Sequence, residues 1–173
     1  MIDFEKHRYW DEWDELKRPF PRGVDTLPCE QLAFTVDLPD ALTWHWYSIP
    51  GTGGVWSQRA KDLLWPYAGK HLRCFQTTLN GAPYYILRLD DELGLDCLDY
   101  KHSELNRFPS SGRVARILKY VFRSDVIHDP MVFHAKDGSD ILCTESIHQM
   151  ILDVGLKGFV FQDTATLCQR RAV

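Results

Sequence analysis

Residues 71–89 read HLRCFQTTLNGAPYYILRL. Two strand-like runs, His71–Leu79 and Ala82–Leu89, flank the dipeptide Asn80-Gly81. Asn-Gly accepts the positive φ angles of a two-residue hairpin turn, whose twist matches that of the strands it joins. The stretch therefore predicts an antiparallel hairpin, and the rest of the chain is built outward from it.

Upstream, Ser57 offers a hydroxyl that can accept a free backbone N–H at the start of a helix. Ala60, Leu63, Leu64 and Tyr67 follow at helical spacing, and Gly69 is placed to end the helix. Pro66 disfavours a helix interior but falls near this end. Gly51-Thr52-Gly53-Gly54 reads as a flexible turn. Residues 18–54 carry Pro, Gly and short apolar stretches, with short strands expected at Gln31–Val36 and Thr43–Ser48. In residues 3–17, Trp10, Trp13 and Leu16 stand three apart and Tyr9 stands four before Trp13, the pattern of an amphipathic helix. Pro19 and Pro21 would end it.

Downstream, Asp90–Tyr100 is acidic with interspersed Leu. Arg113–Phe122 alternates as a long strand, with Val114, Leu118, Tyr120 and Phe122 on one side and Arg116 among them; Ile117, Leu118 and Val121 also suit a helix. A second hairpin, Met131–Ala135 with Asp140–Cys143, is expected around Asp137-Gly138. Thr144 then caps a helix, and Glu145 in its first turn favours the helix dipole. Ile147, Met150, Ile151 and Val154 form its apolar face, Gly155 closes it, and Gly158-Phe159-Val160-Phe161 reads as a short last strand.

The two helical segments echo each other. With Ser57 set on Thr144, Ala60 meets Ile147, Leu63 meets Met150, Leu64 meets Ile151, Tyr67 meets Val154 and Cys74 meets Phe161. Two similar strand–helix–strand halves would produce this echo, although any two amphipathic helices can be aligned in phase. The expected class is α+β: a mostly antiparallel sheet with short amphipathic helices. A single domain spans residues 1–173, with a poorly assigned N-terminal part over 1–54. The buried set is expected to include Leu63, Leu64, Tyr67, Ile147, Met150, Ile151 and Phe161.

Hydrophobic residues at 45% and charged residues at 25% exclude a disordered chain, and six Trp can build a core from few residues. The net charge is −4, and no Lys/Arg-rich run is present, which argues against a nucleic-acid partner. No apolar run approaches the roughly 18 residues of a membrane span, and the N-terminus lacks the apolar stretch of a signal peptide. A cytoplasmic address with no membrane partner is expected. The five cysteines, at 29, 74, 97, 143 and 168, are odd in number and include no C-x-x-C, so neither a disulfide framework nor a structural zinc site is expected.

From Val55 to Phe161 the order of features resembles the large family of immunity proteins of bacterial polymorphic toxin systems, in the branch named after a myxobacterial immunity domain and related to the double-CxxCG proteins. The resemblance is carried by Trp56-Ser57-Gln58-Arg59-Ala60-Lys61-Asp62-Leu63-Leu64, by Gly81-Ala82-Pro83-Tyr84-Tyr85-Ile86-Leu87, by Pro130-Met131-Val132-Phe133, and by the tail from Ile141 to Phe161. Within that tail, Gly155-Leu156-Lys157-Gly158-Phe159 is the most family-like stretch. The resemblance places an immunity-like core at 55–163. It implies an α+β protein that protects the producing cell by binding a cognate toxin, and it supplies no catalytic residue. The double-CxxCG feature is absent, so a metal site of those relatives does not transfer.

Chemistry in the residues themselves is sparse. His45, His102, His128, His134 and His148 form no H-E-x-x-H or other ligand spacing, so no metal and no cofactor are expected. Cys143, just before a helix, is the best-placed nucleophile, because a helix N-terminus favours thiolate; a plain buried residue would also sit there. Ser57 lacks the G-x-S-x-G elbow. Val55-Trp56 stand where a phosphate loop needs Lys and Ser/Thr. Catalytic residues are therefore expected to be none, and the competing reading is a small hydrolase or other enzyme using an unrecognised His/Asp/Glu site.

The feature that points to a partner is the acidic segment. Asp90, Asp91, Glu92, Asp96 and Asp99 place five carboxylates in ten residues without the spacing of a calcium loop. A solvated loop is one reading. Complementarity to a basic groove on a toxin is the other.

Overall fold

The computed structural model describes residues 33–34, 43–47, 53–90 and 92–164. Its elements are β1 (Ala33–Phe34), β2 (Trp46–Tyr47), β3 (Val55–Ser57), α1 (Gln58–Ala68), β4 (Arg73–Leu79), β5 (Ala82–Arg88), β6 (Glu104–Arg107), β7 (Val114–Lys119), β8 (Val132–His134), β9 (Ile141–Cys143) and α2 (Glu145–Val154). The class is α+β, dominated by antiparallel pairing. The expected helix over residues 3–17 lies outside the described residues, as does most of the expected strand Gln31–Val36.

The hairpin at Asn80-Gly81 forms as the sequence predicts. Asn80 and Gly81 take φ of 48° and 79°, and seven residue pairs join β4 to β5, from Leu79 opposite Ala82 to Arg73 opposite Arg88. This hairpin is the centre of a five-stranded sheet in the order β1-β4-β5-β3-β2, antiparallel except where β1 runs parallel to β4. Gly53 and Gly54 extend the β3–β5 pairing: the Gly53 N–H donates to the Leu87 carbonyl at 2.9 Å, and the Leu87 N–H donates to the Gly54 carbonyl at 2.8 Å.

Helix α1 starts where Ser57 places it, the hydroxyl accepting the Ala60 N–H at 3.2 Å. Gly69 ends it in right-handed geometry, its N–H donating to the Trp65 carbonyl. Helix α2 starts differently from the expectation. Thr144 occupies the cap position, but its hydroxyl turns to the preceding chain and accepts the Met131 N–H at 3.0 Å. Asp129 serves the first turn of the helix, accepting from the Ser146 hydroxyl, the Thr144 hydroxyl and the Ser146 N–H, and these bonds, the Ser146 hydroxyl first, hold its carboxyl below the usual carboxylate range. At the far end Gly155 is left-handed, and the Leu156 N–H reaches back to the Ile151 carbonyl at 3.1 Å. This closes the helix and folds Leu156 back onto the core.

Both helices pack in one core. Trp56, Ala60, Leu64, Ala68, Leu72, Leu87, Val132, Ile147, Ile151 and Leu156 are buried together. Of the expected buried set, Leu64, Ile147 and Ile151 are fully inside, while Leu63, Tyr67, Met150 and Phe161 pack half-buried at the margin. Val154, assigned to the apolar face of α2, is exposed. The echo between the helices thus holds for their buried inner faces but not for their caps, because Ser57 makes a side-chain cap bond and Thr144 does not, and Gly155 is left-handed where Gly69 is right-handed. It stops at Gly158–Phe161, which is not a strand: Phe159 stacks on Trp46 at 6.1 Å and on Phe161 at 6.2 Å, so ring contacts hold this segment.

A second core gathers Cys97, Leu98, Ile117, Tyr120, Phe133, Ala135 and Leu142. It is built from the hairpin β8–β9, with Asp137 at φ 63° in its turn, and from the separate ribbon β6–β7. Strand β7 is shorter than the expected Arg113–Phe122, and its faces differ from a simple alternation. Its register against β6 slips twice, between Glu104 and Leu105 and between Asn106 and Arg107, so that Leu118 and Ala115 are passed over in the strand register. Each extra residue reverses the alternation. Ile117 and Tyr120 therefore turn inward and are buried, whereas Arg116 is exposed.

Candidate partner-binding surface

The acidic segment is a seam between the two halves of the structure. Its first residue, Asp90, is held from several sides. The carboxylate pairs with Arg73 at 3.1 Å and accepts the Glu92 N–H, while the Asp90 carbonyl accepts from the N–H groups of Leu93 and Gly94. That carbonyl also lies 2.9 Å from Nε2 of His134, a fully buried ring. Gly94 lets the chain pass this ring closely, since a Cβ there would stand 2.9 Å from both His134 Cε1 and Lys136 Cα.

From there the segment knits into the second core. The Leu95 N–H donates to the His134 carbonyl and the Lys136 N–H to the Leu95 carbonyl, each at 2.9 Å. Arg123 and Asp99 then pair backbone to backbone with Cys97 and Val121 at 2.7 and 2.8 Å, and Cys97 and Leu98 point inward. Asp99 ends the run as a turn-former: one carboxylate oxygen accepts the Lys101 and His102 N–H groups, and the other lies 2.6 Å from the His102 ring. The His102 ring bond is the main reason that the Asp99 carboxyl is held below the usual range.

The five carboxylates thus divide. Asp90 and Asp99 shape the backbone, and Asp91 lies outside the described residues. Glu92 and Asp96 are exposed and in no ion pair with a described residue. Leu95, Cys97 and Leu98 between them serve the second core.

The ribbon β6–β7 leaves this seam carrying the opposite charge. Six Lys or Arg residues and one acid, Glu104, fall within 101–123, a surplus of five positive charges in a chain of net charge −4. Lys101, Arg107, Arg113, Arg116, Lys119 and Arg123 are all exposed, and Phe108 at the turn is 54% exposed. Arg123 pairs with Asp125 at 3.2 Å, and Arg107 donates to the Gly112 carbonyl at 2.9 Å. The absence of a contiguous basic run hides this cluster, because its cations are three or more residues apart. Net charge summed over a window of about one hairpin reveals it.

The groups singled out for chemistry have other occupations. Burial, then the nearby Glu145 carboxylate, pushes the Cys143 thiol up to about 11, which opposes thiolate in spite of the adjacent helix N-terminus. Burial likewise pushes Cys97 up to about 11. The contact nearest to a nucleophile–base pair is His45 Nδ1 with the Ser57 hydroxyl at 3.0 Å, but that hydroxyl is buried and already caps α1. His148 packs its ring on Phe161 at 4.3 Å. A cleft of about 470 Å³ lies beside β9, lined by Trp46, Phe122, Ile127, Ile141 and Phe161. Its titratable lining groups are Asp140, which accepts the Tyr120 hydroxyl at 2.8 Å, and Cys143. Among the described residues no three His, Cys, Asp or Glu side chains gather as a metal site, and no helix is long and apolar enough to cross a membrane.

The model of the immunity protein family Imm11 matches residues 72–166, more than half of the 173 residues. The chain belongs to this family. The match takes in the hairpin β4–β5, the acidic seam, the basic ribbon, β8–β9 and α2, and it leaves β3 and α1 outside, including the Trp56–Leu64 stretch. No curated protein matches the chain. For an Imm11 member a toxin is the general class of partner.

Proposed function

We propose that this Imm11 protein neutralises a cognate bacterial toxin in the cytoplasm by direct protein–protein contact, without catalysis and without a cofactor. Family membership is the observation that carries this reading. The side chains agree with it: the cleft beside β9 brings together no acid–base pair, and the cysteine nearest a helix N-terminus is held as a thiol. Within this reading the acidic segment faces the toxin. Glu92, Asp96 and Asp91 supply the contacts, and Asp90 and Asp99 fix the backbone that presents them. A basic groove on the toxin would be met faster through such charges.

The test is co-expression. Among candidate toxin domains co-expressed with this chain, the cognate one should arrest growth alone, lose that effect when this chain is present, and co-purify with it in a stoichiometric complex. Protection without any complex, or turnover of the toxin's product by the purified chain, would favour the enzymatic reading instead.

A further inference from the structure

We propose that the ribbon β6–β7 is a second contact surface, fitted to an acidic face of a protein partner. Three observations combine. Arg113, Arg116 and Lys119 recur every third residue and all three are exposed, two of them on the strand with the register slips, while Ile117 and the next residue after the strand, Tyr120, are buried in the core. Neither these three nor Lys101 are in an ion pair with a described residue, so their charge is not neutralised by the fold there. Phe108 exposes an aromatic ring at the turn, beside Arg107, whose guanidinium is tied to the Gly112 carbonyl and so braces the tip. Arg and aromatic side chains are the residues enriched at protein interfaces.

An acidic protein face suits this surface better than a nucleic acid. The chain outside the ribbon carries a negative surplus that a polyphosphate would meet with repulsion. A protein partner can instead present its own basic patch to the acidic seam and its acidic patch to the ribbon. Two patches of opposite sign fix an orientation that a single patch leaves open. The inference rests on the reading of the chain as a binder of proteins, but its test does not use the toxin, so the two can fail separately.

The probe is a fluorescein-labelled oligoglutamate peptide, followed by anisotropy with the full-length protein at low salt. The wild type should bind it, and added salt should weaken binding. The variant R113Q/R116Q/K119Q should bind at least about tenfold more weakly. The charge-conserving R113K/R116K/K119R should retain binding, and E92Q/D96Q should bind as well as the wild type or better. Thermal melts establish that each variant is folded; if the triple variant is not, Arg116→Glu alone should still weaken binding. No binding by the wild type, or equal binding by the folded glutamine variant, overturns the proposal. Tighter binding of duplex DNA than of oligoglutamate, lost in the same variant, would also overturn it by assigning the ribbon to a nucleic acid.

Discussion

The Nδ1 atom of His45 lies 3.0 Å from the hydroxyl of Ser57, so the residue before β2 is fastened to the cap of α1. Backbone bonds reinforce the link: the Ser57 N–H donates to the His45 carbonyl, and the His45 N–H donates to the Lys157 carbonyl beyond α2. Three distant parts of the chain meet at this histidine. Burial, with the nearby Arg59 and Lys157 charges, lowers its pKa below the usual 6.5. The ring is therefore neutral in the fold at neutral pH and can accept the Ser57 proton.

A pH dependence follows. The unfolded chain takes up a proton on His45 at higher pH than the folded chain does, so stability rises with pH across that interval. The contribution of His45 is complete above about 6.5 and is lost as pH falls below it toward the depressed folded pKa. Urea titrations from pH 7.5 downward should show the midpoint falling in this window, and His45→Gln should flatten that part of the curve. Asp99, Asp125 and Asp129 have lowered pKa values too, but from 3.8, so they titrate at lower pH.

Helix capping gives a second expectation. Ser57→Ala removes both the Ala60 acceptor and the His45 partner, and it should cost about 1–2 kcal/mol. Thr144→Ala removes no side-chain cap and instead frees the Met131 N–H, so Thr144→Ser should restore stability while Thr144→Asp need not. Denaturant melts of the three Thr144 variants distinguish this from ordinary capping.

Packing of the first core gives the third. Leu64 is 1% exposed between β3, α1 and α2, and Leu64→Ala should cost about 2–5 kcal/mol by leaving a cavity. Leu152, on the outer face of α2, is 54% exposed, and Leu152→Ala should stay within about 0.5 kcal/mol. Gly158 lies against Trp46, which packs at the margin of the same core. It has φ 92°, and a Cβ there would land on the Trp46 carbonyl oxygen. Gly158→Ala should therefore cost more than about 1 kcal/mol, which the same melts would show.

Much of this was legible in the sequence where local chemistry decides the backbone. Asn80-Gly81, Asp137-Gly138, Ser57 and Gly155 each dictate a turn or a helix end through their own φ preference or hydroxyl, and each does so in the structure. What was not legible depends on partners distant in sequence. The Thr144 hydroxyl goes to Met131 because β8 runs beside it. The Phe159 and Phe161 rings find Trp46 and His148 rather than a neighbouring strand. Alternation failed in β7 because two extra residues shift the pattern from period two to period three. The acidic segment gave its charge directly, but the role of Asp90 did not show, since it is tied to Arg73 only once the chain has folded.

Thiol chemistry supplies the fourth prediction. With Cys143 and Cys97 both pushed up to about 11, the native protein at pH 8 should hold on the order of a hundredfold less thiolate at these sites than an unperturbed cysteine would. Iodoacetamide labelling read by peptide mass spectrometry should find both slow in the native state and fast in urea. Rapid native labelling of Cys143 would restore it as a candidate nucleophile.

The last prediction concerns the toxin and the two exposed carboxylates. Reversing all of Asp90, Asp91 and Glu92 would confuse two effects, because Asp90 is bonded to Arg73 and only 14% of its side chain is exposed. Asp90→Lys should lower the melting temperature by itself, through loss of that pair and repulsion from Arg73. The informative variant is E92K/D96K, which changes four units of charge at positions that brace nothing in the described structure. Its melting temperature should match that of the wild type. Its association with the toxin, followed by stopped-flow at low salt, should slow by about tenfold or more, and the salt dependence of the rate should weaken. Dissociation should change less, since peripheral charges act mainly on encounter. An unchanged association rate at low salt would remove the acidic seam from the toxin-facing surface and leave the basic ribbon as the charged face to examine.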